Sequence, residues 1–302
     1  MNFGFFGFPD GVNNSIIETK EFTSSGSYVI PNGVKLLYIF AISGGGGGTT
    51  GIAAASGVLS PGGFGAMSGM YTYQLVDVES LGGPGTTINV LVGAGGAGMP
   101  GTSATSFTPG QTSGLGGATV LSVKGEGDFI YVGCDNGVLA NNSYIGASSQ
   151  TSSSAVVFSF LQTAQGQGNS VGGTVAHNSQ YGGANGGAVT AANVANAGSN
   201  ISKAATSANF FAPASVAPAA VLTAGGAATG AAGTDGNFQL NGKFSVGSGG
   251  AGGGASTTTN GGRGGHGYRG GGGGGGGGTR TPNSTGAGGN GGDGYCVIMC
   301  MR

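Results

Sequence analysis

Apolar positions in this chain fall into short bursts rather than into a helical stripe. Residues 34–42 are apolar at both parities, as a strand covered on both faces requires, and this predicts a central strand. Tyr28-Val29-Ile30 precedes it across Pro31-Asn32-Gly33, and Asn-Gly favours positive φ, so the two runs read as a hairpin. Residues 70–78 alternate through Tyr71, Tyr73 and Leu75 before the parity shifts at Val76 and Val78. Residues 88–92 follow the turn Gly82-Gly83-Pro84-Gly85, residues 119–123 and 129–132 read as a further pair, and residues 295–301 form a last apolar strand. No window shows helical periodicity with caps. The runs 34–42 and 295–301 flank every glycine-rich segment and neither can stay in water, so they are expected side by side in one sheet.

Glycine then changes the picture. It supplies 74 of 302 residues while charged residues make up 6%, which excludes an ordinary mixed globular domain. The chain lacks a strict Gly-X-Y period and has only 9 Pro, unlike a collagen triple helix. A hydrophobic share of 38% and a net charge of −1 favour order over wholesale disorder. Residues 270–278 are Gly without interruption. Ordering each costs roughly 1–2 kcal/mol, and a net hydrogen bond returns only about 0.5–1.5 kcal/mol, so the run needs neighbours. Polyproline II helices without Cβ atoms can pack closely enough to exchange backbone hydrogen bonds. Candidate neighbours are residues 44–48, 93–98, 182–187, 225–233, 249–254 and 286–294. The expected fold is therefore all-β with polyproline or polyglycine II helices, a small β-sheet or sandwich framing a glycine-rich bundle. Along the chain this gives a Phe-rich arm (1–19), the first part of a β-rich, glycine-rich domain (20–140), a Ser/Ala/Asn-rich insertion (141–247), and a polyglycine region with its closing strand (248–302).

Candidate chemistry adds little. Nine Lys and Arg against ten Asp and Glu leave no basic excess for nucleic acid. Residues 1–10 contain no Lys or Arg and are broken by Gly4, Gly7 and Pro9, so they do not read as a signal peptide, and no apolar run reaches the roughly 20 residues of a membrane span. Cys134, Cys296 and Cys300 have no metal-ligand spacing and read as reduced. Cys296 and Cys300 on one strand would lie about 13 Å apart, too far to bridge. Residues 93–98 fit G-x-G-x-x-G, but Met99-Pro100-Gly101 follows where a dinucleotide site needs a helix. His177 and His266 have no nucleophile or second ligand nearby in sequence. Asp77 with Glu79, and Glu126 with Asp128, could share strand faces, but acid–base work needs a cleft. No enzyme activity, metal or cofactor is expected. Phe3, Phe5, Phe6 and Phe8 are costly to leave in water; they pack on the chain's own body or dock to a partner or sister subunit.

The order of these signals resembles the glycine-rich domain of bacteriophage tail-fibre and virion surface proteins. The resemblance rests on Glu21-Phe22-Thr23 with residues 26–34, on residues 81–87 leading to 90–98, and on the ending at residues 291–298. It covers about residues 20–135 and 245–302, and departs from that pattern in the Phe-rich arm and the long middle segment. It implies a structural protein of the virion, assembled in the bacterial cytoplasm, similar to distal tail-fibre adhesins in which stacked polyglycine II helices carry loops that contact the host surface. The alternative is a purely structural capsid-decoration, head-fibre or fibre-capping protein without receptor binding. Expected partners are other virion proteins, sister copies in a homo-oligomer (a trimer favoured) through Phe3, Phe5, Phe6 and Phe8, and a host-surface receptor. Aromatic and Arg groups carry most contact energy per residue, so Tyr144, Tyr181, Phe210, Phe211, His266, Tyr268 and Arg269 are the receptor-binding candidates.

Overall fold

The computed structural model describes residues 16–103, 113–133, 139–140, 143–144, 182–202, 221–237 and 247–302. Its strands are β1 (Ile16–Phe22), β2 (Gly26–Val29), β3 (Leu36–Ile42), β4 (Ala53–Ala54), β5 (Tyr71–Asp77), β6 (Thr87–Leu91), β7 (Thr119–Val123), β8 (Gly127–Val132), β9 (Leu139–Ala140), β10 (Ser143–Tyr144), β11 (Ile201–Ser202), β12 (Val221–Thr223), β13 (Thr279–Arg280) and β14 (Tyr295–Met301). A 3-10 turn at Glu79–Leu81 is the one helical element among the described residues. The chain is nearly all-β, as the apolar pattern predicts.

Two four-stranded antiparallel sheets, ordered β1-β14-β3-β5 and β2-β6-β7-β8, face each other across one apolar core. Leu37 and Ile39 of β3 and Cys296, Ile298 and Cys300 of β14 point into it from the first sheet. Tyr28, Ile88, Leu121 and Ile130 point into it from the second. The other face of β3 and β14 is also covered: Phe40, Ile42, Tyr295 and Val297 form a second cluster with Tyr71 and Tyr73. β3 is therefore a central strand, and it pairs with β14 from Leu36↔Met301 to Ile42↔Tyr295. Cys296 and Cys300 are free and buried, and burial pushes the Cys296 thiol up to about 12, so they act as small apolar groups. Cys134 and His177 lie outside the described residues.

The expected hairpin does not form. β2 pairs with β6 in the second sheet, while β3 pairs with β14 and β5 in the first. A tight Asn-Gly hairpin needs positive φ at both residues, and here only Gly33 has it, at 80°. Pro31-Asn32-Gly33 is instead a corner that sends the chain from one sheet to the other. The expected carboxylate pair also dissolves, because the strand ends at Asp77, whose carboxylate accepts the Glu79 N–H at 3.1 Å to open the 3-10 turn.

The glycine-rich segments leave the sandwich at Ile42 and return at Tyr295. They hold one another through backbone hydrogen bonds with a period of three residues. Gly273 and Gly276 donate to the carbonyls of Gly46 and Thr49, and accept from Ala66 and Gly63. Gly274 and Gly277 donate to Gly265 and Gly262 and accept from Gly289 and Gly286; Gly275 and Gly278 donate to Ala184 and Gly187 and accept from Gly253 and Ser256. The run 270–278 is thus enclosed on all sides. Residues 44–48, 182–187, 249–254 and 286–294 lie where expected, directly against it. Residues 93–98 sit one layer out, Gly96 donating to Gly45, and residues 225–233 bond to residues 252, 254 and 263 rather than to the run. Residues 63–69 and 262–268 take those places.

At most of these glycines the backbones approach more closely than a Cβ would permit. At Gly48 a Cβ would stand 2.1 Å from the Gly274 carbonyl oxygen, whereas at Gly46 its nearest neighbour would be the Ala66 methyl at 3.4 Å. Gly48→Ala should therefore destabilise by about 3 kcal/mol or more through overpacking, and Gly46→Ala by less than about 1 kcal/mol. Urea denaturation of the two variants checks this, the expected outcome being a large midpoint loss for Gly48→Ala alone.

Candidate functional site

Among the described residues, five pairs of successive glycine-rich segments run away from the sandwich, turn and come back. The turns fall at residues 55–59, 190–194, 228–230, 256–260 and 279–284, and they meet at the end of the bundle remote from the sheets. Asn193 Nδ2 donates to Ser56 Oγ at 2.7 Å, Thr259 Oγ1 to the Thr229 carbonyl at 3.3 Å, and Thr279 Oγ1 to the Thr259 carbonyl at 2.7 Å. The Asn260 carboxamide accepts the Ser284 N–H at 2.9 Å. Five turns far apart in sequence thereby make one surface.

One side chain organises it. Arg280 is 5% exposed, and its Nε donates to Asn193 Oδ1 at 2.9 Å while Nη1 donates to the Ala55 carbonyl at 2.8 Å. It also bonds the Val58 and Thr190 carbonyls. The planar guanidinium offers donors in a fixed fork, and carbonyls from two turns plus a side chain of the second satisfy it without a carboxylate. Arg280 is the one charged residue in these turns. What they present is uncharged: Ser56, Val58, Leu59, Ala191, Ala192, Asn193, Val194, Thr229, Thr258, Thr259, Asn260, Thr281 and Pro282 are all exposed. Among them Val58 and Val194 are each 55% exposed. Among the described residues these turns hold no nucleophile–base pair, and the surface they make can act by contact: hydroxyl and carboxamide hydrogen bonds around small apolar groups.

The residues chosen for aromatic or charged character lie elsewhere. Tyr268 and Arg269 sit at the sandwich end of the bundle, Tyr268 donating its N–H to the Ser248 carbonyl, and the Arg269 guanidinium lies 4.4 Å over the Tyr295 ring and 5.3 Å over that of Tyr268. His266 is half-buried on a glycine segment: its Nδ1 accepts the Asn290 N–H at 2.8 Å, and its own N–H donates to Asp235. Asp235 also holds Arg263 at 3.1 Å. Tyr144 lies in β10, paired with β9. Tyr181, Phe210, Phe211, Phe3, Phe5, Phe6 and Phe8 lie outside the described residues. The sequence reading missed Arg280, Asn193 and the Thr-rich turns. Their signal was present as turn-forming clusters, Thr258-Thr259-Asn260 and Thr281-Pro282-Asn283-Ser284, each set between glycine segments.

No family model matches this chain, and no curated protein matches it. Among the described residues no group of three or more His, Cys, Asp or Glu could hold a metal ion, and no helix is long and apolar enough to cross a membrane.

Two outcomes follow from these contacts. Arg280→Met leaves the Val58 carbonyl without its donor and the Ala55 and Thr190 carbonyls with only their bonds from the Val58 and Asn193 N–H groups, which at about 1–3 kcal/mol for a lost partner should loosen the remote end first. Hydrogen exchange should quicken at residues 53–59 and 190–195 and stay unchanged in β14. The His266 cluster gives a pH dependence. Burial, and secondarily the Arg263 charge, holds His266 below its ordinary 6.5 against the opposing pull of Asp235. Burial alone would raise Asp235, but the His266 N–H and the Arg263 charge outweigh it and hold the carboxyl below 3.8. The unfolded chain therefore binds a proton at His266 before the folded chain does, and stability is lost as pH falls below 6.5 through the lowered folded value, with a second loss below 3.8 from Asp235. Thermal melts from pH 8 to pH 5 should show a fall that His266→Gln flattens.

Proposed function

We propose that this protein is a non-enzymatic surface component of a bacteriophage virion, a fibre tip that carries its uncharged turns to the host cell surface on a bundle of polyglycine II helices. The three-residue period of the glycine hydrogen bonds supports the helix type, since polyproline and polyglycine II helices have three residues per turn. At about 3.1 Å rise per residue, residues 271–278 span roughly 25 Å. The observation that carries the functional reading is the polarity of the molecule. β1 and β14 pair from Phe22↔Cys296 beside the bundle to Ile16↔Met301 at the far end of the sandwich, so the Phe-rich arm joins the body at the end opposite the turns. One end is suited to holding, the other to meeting a partner. In this reading Phe3, Phe5, Phe6 and Phe8 attach the protein to sister copies, a trimer favoured, and to other virion proteins. Recognition then lies on the remote turns, and Tyr268 and Arg269 brace the bundle against the sheet.

The test pairs two binding partners. The purified protein is incubated with the bacterial host and, separately, with virions lacking it. Host binding that Val58→Asp with Val194→Asp weakens at least about tenfold, or about 1.4 kcal/mol, with an unchanged melting temperature, supports the reading. Binding to virions alone identifies a structural decoration protein instead.

A further inference from the structure

Four Asn-Gly steps lie within the described residues, at Asn32, Asn185, Asn260 and Asn290. Such a step is chemically vulnerable because the backbone nitrogen of the following Gly can attack the Asn carboxamide carbon without steric hindrance from a side chain. The structure treats the four very differently. In the bundle both reacting groups are engaged. The N–H groups of Gly186, Gly261 and Gly291 donate to the carbonyls of Gly63, Ser284 and Gly96 at 2.9, 3.0 and 2.8 Å. The carboxamide oxygens of Asn185, Asn260 and Asn290 accept the N–H groups of Gly65, Ser284 and Gly98 at 3.0, 2.9 and 2.9 Å. Attack at any of these sites must first break two hydrogen bonds and shift a packed segment.

Asn32-Gly33 has none of this protection. It forms the exposed corner between the two sheets, and among the described residues neither the Gly33 N–H nor the Asn32 carboxamide has a hydrogen-bond partner. The Arg302 side chain lies alongside, its Nε 3.7 Å from where a Gly33 Cβ would stand. A neighbouring cation favours the amide anion that must form for attack.

We infer that Asn32 is a spontaneous modification site at which the folded protein ages. The Gly33 nitrogen, having given its proton to solvent, forms a bond to the Asn32 side-chain carbonyl carbon. The bond from that carbon to the amide nitrogen breaks, and the nitrogen takes up a proton and leaves as ammonia. Water then opens the succinimide at either carbonyl, giving aspartate or isoaspartate. Both place a carboxylate beside Arg302, and isoaspartate also lengthens the main chain at the corner that joins the sheets.

Peptide mapping of the intact protein, aged in mildly alkaline buffer, tests this. Conversion at Asn32 should run at least about tenfold faster than at Asn185, Asn260 and Asn290, because reaction in the bundle waits on local opening. Under denaturant the four sites should convert at similar rates, and Asn32→Ser should abolish the fast product. An unconverted Asn32, a folded-state rate no greater than those of the bundle sites, or a lead for Asn32 that persists in denaturant would overturn the inference.

Discussion

Neighbouring backbones in this protein touch where side chains would ordinarily keep them apart. At Gly276 a Cβ would stand 1.9 Å from the Gly286 carbonyl oxygen, and at Gly253 1.9 Å from that of Gly262. This closeness lets a buried backbone without a ladder satisfy its donors and acceptors, and a buried polar group left unpaired is expensive. The entropic cost of ordering a Gly and the return from its hydrogen bonds are of similar size. No segment is therefore stable alone, and each holds only while its neighbours do.

That interdependence explains the division of labour along the chain. The sandwich supplies what the bundle lacks, a core of large buried side chains such as Leu37, Ile39, Ile88 and Leu121. β3, β5 and β14 feed straight into glycine segments, so the sheet sets their starting positions. At the bundle surface, where no further chain is available, side chains stand in for one. Asp293 and Asn290, three residues apart, accept the N–H groups of Gly95 and Gly98, and Asn200 accepts that of Gly225. The turns at the remote end expose hydroxyl, carboxamide and small apolar groups, and Arg280 draws those at 55–59 and 190–194 together.

Much of the sandwich was legible because apolar parity reports coverage directly: residues 34–42 read as a doubly covered strand with the apolar run 295–301 beside it, and β3 and β14 pair with both their faces covered. The hairpin at Asn32 misled because turn composition does not say which sheet the next strand joins. The glycine run announced that it needed neighbours, and glycine content alone picked out residues 44–48, 182–187, 249–254 and 286–294, but it also pointed to 93–98 and 225–233, which lie further out, and passed over 63–69 and 262–268. A finer signal was available in residues spaced by three, at Ala94, Ala97 and Pro100, at Ala287, Asn290 and Asp293, and at Arg263, His266 and Arg269. On the first two sets the side chains face outward, apart from the half-buried Ala287, while intervening glycines take the close contacts. The uncharged turns were passed over because aromatic and charged residues were sought for contact energy; of those, Tyr268 and Arg269 lie at the joint with Tyr295.

Native-state hydrogen exchange, resolved to single amides, tests the dependence of the whole structure on glycine backbone contacts. If those contacts make one cooperative unit, the amides of Gly273 to Gly278 will exchange as slowly as those of Val297 to Cys300 in β14, and both sets will open together as denaturant is added. Glycine amides that exchange freely while β14 stays protected would contradict it, leaving a stable sandwich with an unordered glycine tract attached.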